Sequence, residues 1–360
     1  MKRVVLHSNS FNSFWAHYSF YRDEYFSKKF LELGYELVYS NQVVIKSSDY
    51  ILFFEVKSIN NLSIFFRHLN KAEKIKIVLR YVFNFFKTKS IRNQNIYNEC
   101  KKNNTLSRTL LIVLEGIIDA PENHSKETLA ICNYSFTWND KLVDNKKIIK
   151  INWPQPVEWP NVKPLPFDKK KLLVNVSANK YSKNKIELYS ERRKAISYFE
   201  SKLGDQFDLY GFDWNNPVTF LQKRFKINLP NFKSYKGTIK SKAELFPKYK
   251  FALVYENAII PGWITEKIFD CLRSNCIPIY LGAPNIVEHV PADLFIDRTQ
   301  FSSDQQLVDY LINFEERVYN EYMDRISHYL KSTAFNRHLS PSLVETIINT
   351  IEKNSIDLNS

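Results

Sequence analysis

Short apolar runs punctuate the chain, separated by polar turns or helical stretches. In its first part they read VVLH (4–7), ELVYS (36–40), YILFFEV (50–56) and RTLLIVLEG (108–116). An aromatic helical stretch from about Phe14 to Leu33 follows the first run. Short buried strands alternating with helices predict an open parallel sheet covered by helices. A basic, aromatic helical stretch at 61–93 interrupts the alternation. It starts again with KLLVNVSA (171–178), a helix over about Leu188–Leu203, FDLYG (207–211), KFALVYEN (250–257), a helix after Trp263, and IPIYLG (277–282).

The two series are separated by WPQPVEWPNVKPLP (153–166), with five prolines. Proline fixes φ and removes a backbone donor, so this run is neither central strand nor helix and reads as a linker. The pattern therefore divides the chain into an α/β domain at 1–152, a linker at 153–168, a second α/β domain at 169–335 and a helical tail at 336–360. Two Rossmann-like halves of this kind are expected to hold a ligand in the cleft between them.

Composition narrows the class. The 27 Phe and 21 Tyr against 7 Gly exclude a disordered chain, and 360 residues suffice for two cores. Four cysteines (Cys100, Cys132, Cys271, Cys276) show no CxxC spacing, which points to reduced thiols in a cytosolic protein. The N-terminal apolar run, Val4-Val5-Leu6, is too short for a signal-peptide core, and no later run has a membrane-spanning length. The net charge of +13 is uneven: 61–110 carry eleven bases against Glu73 and Glu99, a local +9.

Candidate chemistry concentrates in YENAIIPGWITEKIFDCLRSNCIPIYLGAPNI (255–286). Pro261-Gly262 makes a turn, Thr265 is placed to cap the next helix by accepting a first-turn N–H bond, and Asn275 can end it in the left-handed region. Lys267 in the first turn opposes the helix dipole, an arrangement that makes sense around a bound anion such as a phosphate. Glu266 could bond ribose or sugar hydroxyls. Spacing alone equally permits a solvated Glu266–Lys267 pair on a surface helix.

The longer stretch 251–301 resembles the donor-binding motif of the α-1,3/4-fucosyltransferases, glycosyltransferase family 10. The family's FxLxFEN, Gly-aromatic step, TEKI, apolar VPIYWG-like strand, GAPN and FIDxxxF appear in order. Leu281 stands where Trp is common and Trp263 where Tyr is common. The resemblance implies a two-domain GT-B enzyme whose C-terminal half binds GDP-fucose and whose N-terminal half binds the acceptor. Asn257, Trp263, Glu266 and Lys267 then fall on donor-contacting positions, with Lys267 on the pyrophosphate.

The family also places an arginine on the pyrophosphate, one helix upstream of a strand ending in Tyr-Gly. Here that selects Arg193 in YSERRKAISYFESKL, with Arg192 the alternative. A guanidinium suits the role through bidentate, permanently charged donors, although an arginine in such a helix is by itself more often solvated. The family's general base maps to Glu115, at the end of RTLLIVLEG with Pro121 six positions on; Glu122 and Asp119 are its rivals.

The implied reaction is an inverting transfer of L-fucose from GDP-β-L-fucose to a glycan hydroxyl, α-1,3 by preference, in surface polysaccharide or lipopolysaccharide synthesis. No metal or other cofactor is expected: the chain has no Asp-x-Asp, HxxxH or HExxH spacing. Another GDP-sugar donor remains open. A nucleic-acid-binding role, prompted by a pI near 9.3, is disfavoured because the charge sits in one segment. Residues 65–92 suit either peripheral contact with an anionic membrane or a packed helix with a basic face. The expected location is the cytoplasm, or the inner face of the cytoplasmic membrane.

Overall fold

A computed structural model describes residues 1–8, 24–59, 96–217 and 231–358. The basic segment at 65–92 lies outside them. The chain divides into two compact units, Met1–Asn152 with Ser340–Ser360, and Trp153–Leu339.

The first unit contains β1 (Lys2–His7), α1 (Glu24–Glu32), β2 (Tyr35–Tyr39), β3 (Tyr50–Phe54), α2 (Ile96–Lys102), β4 (Thr109–Val113), α3 (Lys126–Leu129), β5 (Tyr134–Thr137) and β6 (Ile148–Lys150). Its sheet has the order β2-β1-β3-β4-β5-β6, every pair parallel. β3 and β4 are buried at every position, as their unbroken apolar runs require of central parallel strands.

The second unit contains β7 (Lys171–Val176), α4 (Tyr189–Leu203), β8 (Phe207–Tyr210), α5 (Lys242–Leu245), β9 (Tyr249–Tyr255), α6 (Glu266–Leu272), β10 (Ile277–Leu281), β11 (Ile296–Asp297), α7 (Asp304–Ile312), α8 (Glu316–Leu330) and α9 (Thr333–Asn336). Its parallel sheet runs β11-β10-β9-β7-β8. Counted from its first strand this repeats the first unit's 2-1-3-4-5 order. In such sheets the chain changes direction between the first and third strands, and ligands bind beyond the carboxyl ends there. Those switch points are β1/β3 and β7/β9.

Two boundary segments behave differently from their sequence reading. The C-terminal stretch expected as a helical tail carries α10 (Ser340–Asp357), which belongs to the first unit. Tyr50 Oη lies 2.8 Å from Ser355 Oγ, Asn354 Nδ2 donates to Ser107 O at 2.9 Å, and Lys29 pairs with Glu345 at 2.8 Å. The proline-rich run has no regular structure but is strapped to the second unit: Arg273 donates to the carbonyls of Pro156 (2.6 Å) and Val157 (2.7 Å), and Trp159 Nε1 to Ser274 Oγ (3.1 Å). Prolines keep this run out of a sheet, so these carbonyls lack a ladder, and a guanidinium supplies their donors. Among the described residues no helix is long and apolar enough to cross a membrane.

Candidate active site

The β7/β9 switch point of the second unit holds a cavity. Asn175, Val176 and Ser177 line it from the end of β7, Leu253 to Tyr255 from β9, and Arg192, Lys242 and Lys267 from α4, α5 and α6. Its organiser is Glu256, a fully buried carboxylate directly after β9. Glu256 accepts from Thr265 N at 2.9 Å, from the Thr265 hydroxyl at 2.9 and 3.0 Å, and from Lys267 Nζ at 2.8 Å. A buried carboxylate is tolerated only when paired and hydrogen-bonded in this way.

This web corrects one sequence expectation. Thr265 stands at the N-cap position of α6, but its side chain makes no cap bond. Its hydroxyl donates to Glu256 and accepts from Lys267 Nζ at 2.8 Å. The rest of the motif serves the same web. Gly262 adopts φ +78°, the left-handed value the Pro-Gly turn needs, and its N–H donates to Asn285 Oδ1 at 2.9 Å. Gly282 leaves room for the carboxylate: a Cβ there would stand 2.6 Å from Glu256 Cγ and 2.5 Å from Tyr280 Oη. Asn275, at φ +52°, ends the turn after α6 as anticipated, with Cys276 N donating back to Cys271 O at 3.2 Å.

The cations are spaced by acids. Glu266 Oε1 lies 3.9 Å from Lys242 Nζ and 4.0 Å from Lys267 Nζ, while Lys242 also pairs with Asp270 at 2.6 Å. Burial alone would push the Glu266 carboxyl up; the Lys267 and Lys242 ammonium groups outweigh it and hold its pKa at about 2.

The two arginines of α4 part company. Arg192 shares the buried face with Ala195, Ile196, Phe199 and Leu203, is 3 % exposed, and lines the cavity. One of its Nη groups donates to the carbonyls of Tyr255 (2.5 Å) and Glu256 (3.0 Å) and reaches Asn257 Oδ1 at 3.5 Å. Its Nε has no partner among the described residues. Arg193, which the sequence reading favoured, is half-buried, bonds Lys180 O and Ser190 Oγ, and does not line the cavity. Trp263 is 3 % exposed, its ring edge-on to Trp153 at 5.4 Å under the Pro-Gly turn. Asn257 is half-buried, and its carbonyl accepts from Leu188 N at 3.0 Å.

In the first unit Glu115 is half-buried, two residues past the last residue of β4. Asp119 and Glu122 follow in the next turns, also half-buried. A second buried glutamate, Glu55, stands at the end of β3 with φ +62°. Its Oε1 accepts from Leu114 N (2.9 Å) and Glu115 N (3.0 Å), and its Oε2 from Asn123 Nδ2. Sequence reasoning missed Glu55, Glu256, Lys242, Asp270 and Asn285. The available signal was an acid directly after an apolar strand, in LFFE and LVYE alike. Among the described residues no three His, Cys, Asp or Glu side chains group to hold a metal ion.

Residues 168–352 match the family described as glycosyltransferase family 10 (fucosyltransferase), C-terminal part. The chain belongs to this family. An α-(1,4)-fucosyltransferase of Arabidopsis thaliana is 40 % identical over 76 residues, covering 21 % of this chain and 19 % of that protein. An α-(1,3)-fucosyltransferase of Helicobacter pylori is 34 % identical over 88 residues, 24 % of this chain and 18 % of that protein. The chain thus spans about a fifth of the length of these relatives. A solved α1,3-fucosyltransferase with GDP superposes with a TM-score of 0.51 at 14 % identity, covering 89 % of this chain and 81 % of that one. An α-glucosyltransferase with UDP and DNA gives 0.54 at 11 % identity, covering 98 % and 99 %. At these identities the likeness speaks for the fold, and that fold is GT-B.

Proposed function

We propose that this family 10 chain is an inverting fucosyltransferase, moving L-fucose from GDP-β-L-fucose to a hydroxyl of a glycan acceptor. The observation that carries the reading is that Arg192, Lys242 and Lys267 line one small cavity at the β7/β9 switch point. Fixed cations at the carboxyl edge of a parallel sheet suit a nucleoside diphosphate leaving group. Relatives named as fucosyltransferases, and a fold neighbour solved with GDP, supply the sugar and the nucleotide.

Glu115 serves as general base, with Glu122 and Asp119 its rivals. It takes the proton of the acceptor hydroxyl as that oxygen forms its bond to the anomeric carbon. The bond from that carbon to the GDP oxygen breaks, and its electron pair leaves on GDP. One displacement inverts β to α. Lys267, held by Glu256, and Arg192 stabilise the charge developing on the pyrophosphate, so the step needs no metal ion. Glu266, low in pKa between two ammonium groups, stays ionised to accept sugar or ribose hydroxyls. Arg192 takes the pyrophosphate role in preference to Arg193 because it shares the cavity with Lys267. The basic segment 65–92 fits peripheral contact with an anionic cytoplasmic membrane face, where lipid-linked acceptors of surface polysaccharide are built.

The test is transfer from GDP-fucose to lactosamine-type and lipid-linked acceptors, with GDP-mannose as the competing donor and EDTA present throughout. Arg192→Ala and Lys267→Ala should each lose 100-fold or more in kcat, about 3 kcal/mol, as other removed charge-stabilising donors do. Arg193→Ala should stay within a few-fold of wild type. Transfer from GDP-mannose alone would replace the donor, and an inactive Arg193→Ala beside an active Arg192→Ala would restore the other arginine.

A further inference from the structure

The peptide that carries Glu115 is held from every side by side chains of other segments. The β4 ladder ends at Val113, so the backbone groups of Leu114 and Glu115 have lost their strand partners. Glu55 Oε1 accepts both N–H groups, at 2.9 and 3.0 Å. Trp138 Nε1 donates to Leu114 O at 2.9 Å, and His124 Nε2 lies 2.9 Å from Glu115 O. Four backbone groups are thus satisfied by three side chains, none of them from the strand itself.

Each brace is itself fixed. Glu55 is 1 % exposed, accepts from Asn123 Nδ2, and its own carbonyl takes the N–H and hydroxyl of Ser58. Burial lowers the His124 pKa to about 4, so the ring is neutral at physiological pH. Its bond to a carbonyl places the proton on Nε2 and leaves Nδ1 as acceptor, facing Asn139 Nδ2 at 3.4 Å. Trp138 is 1 % exposed.

A loop that needed only to leave the sheet could satisfy these groups with water at no desolvation cost. Here a carboxylate is buried to do it, at a left-handed backbone position that glutamate disfavours. We propose that Glu55 is a positioning residue for Glu115, with Trp138 and His124 completing the brace, and that the rate of the chemical step depends on it. This rests on the reading of Glu115 as the base.

The left-handed φ makes a clean experiment possible, because glycine is at home there. Glu55→Gly removes the carboxylate while relieving the backbone, and Glu55→Gln restores an acceptor oxygen of the same reach. In the full chain, Glu55→Gly should lower kcat about 100-fold, leave the KM for GDP-fucose and the Kd for GDP within two-fold, and Glu55→Gln should recover kcat to within about five-fold of wild type. Trp138→Phe, losing one bond to the same peptide, should lower kcat by a smaller factor. Tyr50→Phe is the control for mere loss of stability in this unit: a lower Tm with unchanged kcat. A wild-type kcat in Glu55→Gly beside an inactive Glu115→Gln would overturn the positioning role alone. So would a Glu55→Gln as slow as Glu55→Gly, since the acceptor geometry would then not matter. An active Glu115→Gln would overturn the base assignment and this proposal with it.

Discussion

Two strand ends in this molecule, one in each unit, solve the same problem with opposite chemistry. Glu55 follows β3 and Glu256 follows β9; each is buried, and the N–H of each continues the ladder to a neighbouring strand, on Ile112 O and Leu281 O, both at 2.8 Å. Glu55 spends its carboxylate on peptide N–H groups and an amide. Glu256 spends one oxygen on an ammonium, Lys267, and both on Thr265. The first arrangement fixes a piece of backbone. The second fixes a cation, whose side chain keeps 21 % exposure at the sheet edge. One device holds a residue still; the other presents a charge.

Neutralising each glutamate should separate the two strand ends most. Glu256→Gln should cost about 3 kcal/mol in unfolding free energy, because Lys267 then loses its 2.8 Å buried counter-charge and keeps only the more distant Glu266. Glu55→Gln should cost about 1 kcal/mol, the difference between charge-assisted and neutral hydrogen bonds. Denaturant melts of both variants measure this. Equal losses would mean that the ion pair adds nothing beyond its hydrogen bonds.

Acid should then separate the units. His7 and His124, both in the first unit, are held near pKa 4 by burial, each partly offset by a backbone hydrogen bond. Unfolded, each takes a proton as the pH falls below its ordinary 6.5; folded, neither does until about 4. Protons therefore favour unfolding across that window, by at most about 1.4 kcal/mol per pH unit for each ring, and the stability is intact above it. In the second unit the depressed carboxyl is Glu266, whose contribution is present above 4.5 and lost as the pH falls toward 2. Hydrogen exchange resolved by unit at pH 7 and pH 5 should show β3 and β4 weakening while β9 and β10 hold. Parallel loss in both units would contradict this.

Gly282→Ala should cost about 2 kcal/mol, by pressing a methyl group into Glu256 and Tyr280. If the variant melts like wild type, the carboxylate has room to move, and Lys267 is held less tightly than its 2.8 Å contact indicates.

Much of the second unit was legible from pattern. The helix expected over Leu188–Leu203 is Tyr189–Leu203, and the helix expected near Thr265 begins at Glu266. Periodicity and turn residues are local, so they survive in the sequence. The arginine register was not legible, because adjacent positions differ by about 100° around a helix and only the packed face tells which points inward. In the structure the buried one of the pair is Arg192. Thr265 was misread for a related reason: a threonine before a helix ordinarily caps it by accepting a backbone N–H, but here its hydroxyl turns to donate to the buried Glu256 carboxylate and its oxygen accepts from Lys267 Nζ instead.

The sequence by itself determined the α/β alternation, the strand runs that bury on both faces, the glycines and asparagines at their turns, and the motif that places the chain in its family. These follow from side-chain polarity and backbone sterics within a few residues. Tertiary structure alone decided that α10 returns to the first unit, that the proline-rich run is tied down by Arg273, and that Glu55 reaches across to Leu114 and Glu115, some sixty positions on. A buried carboxylate must find its donors wherever the fold brings them, and no local pattern in the chain records where that is.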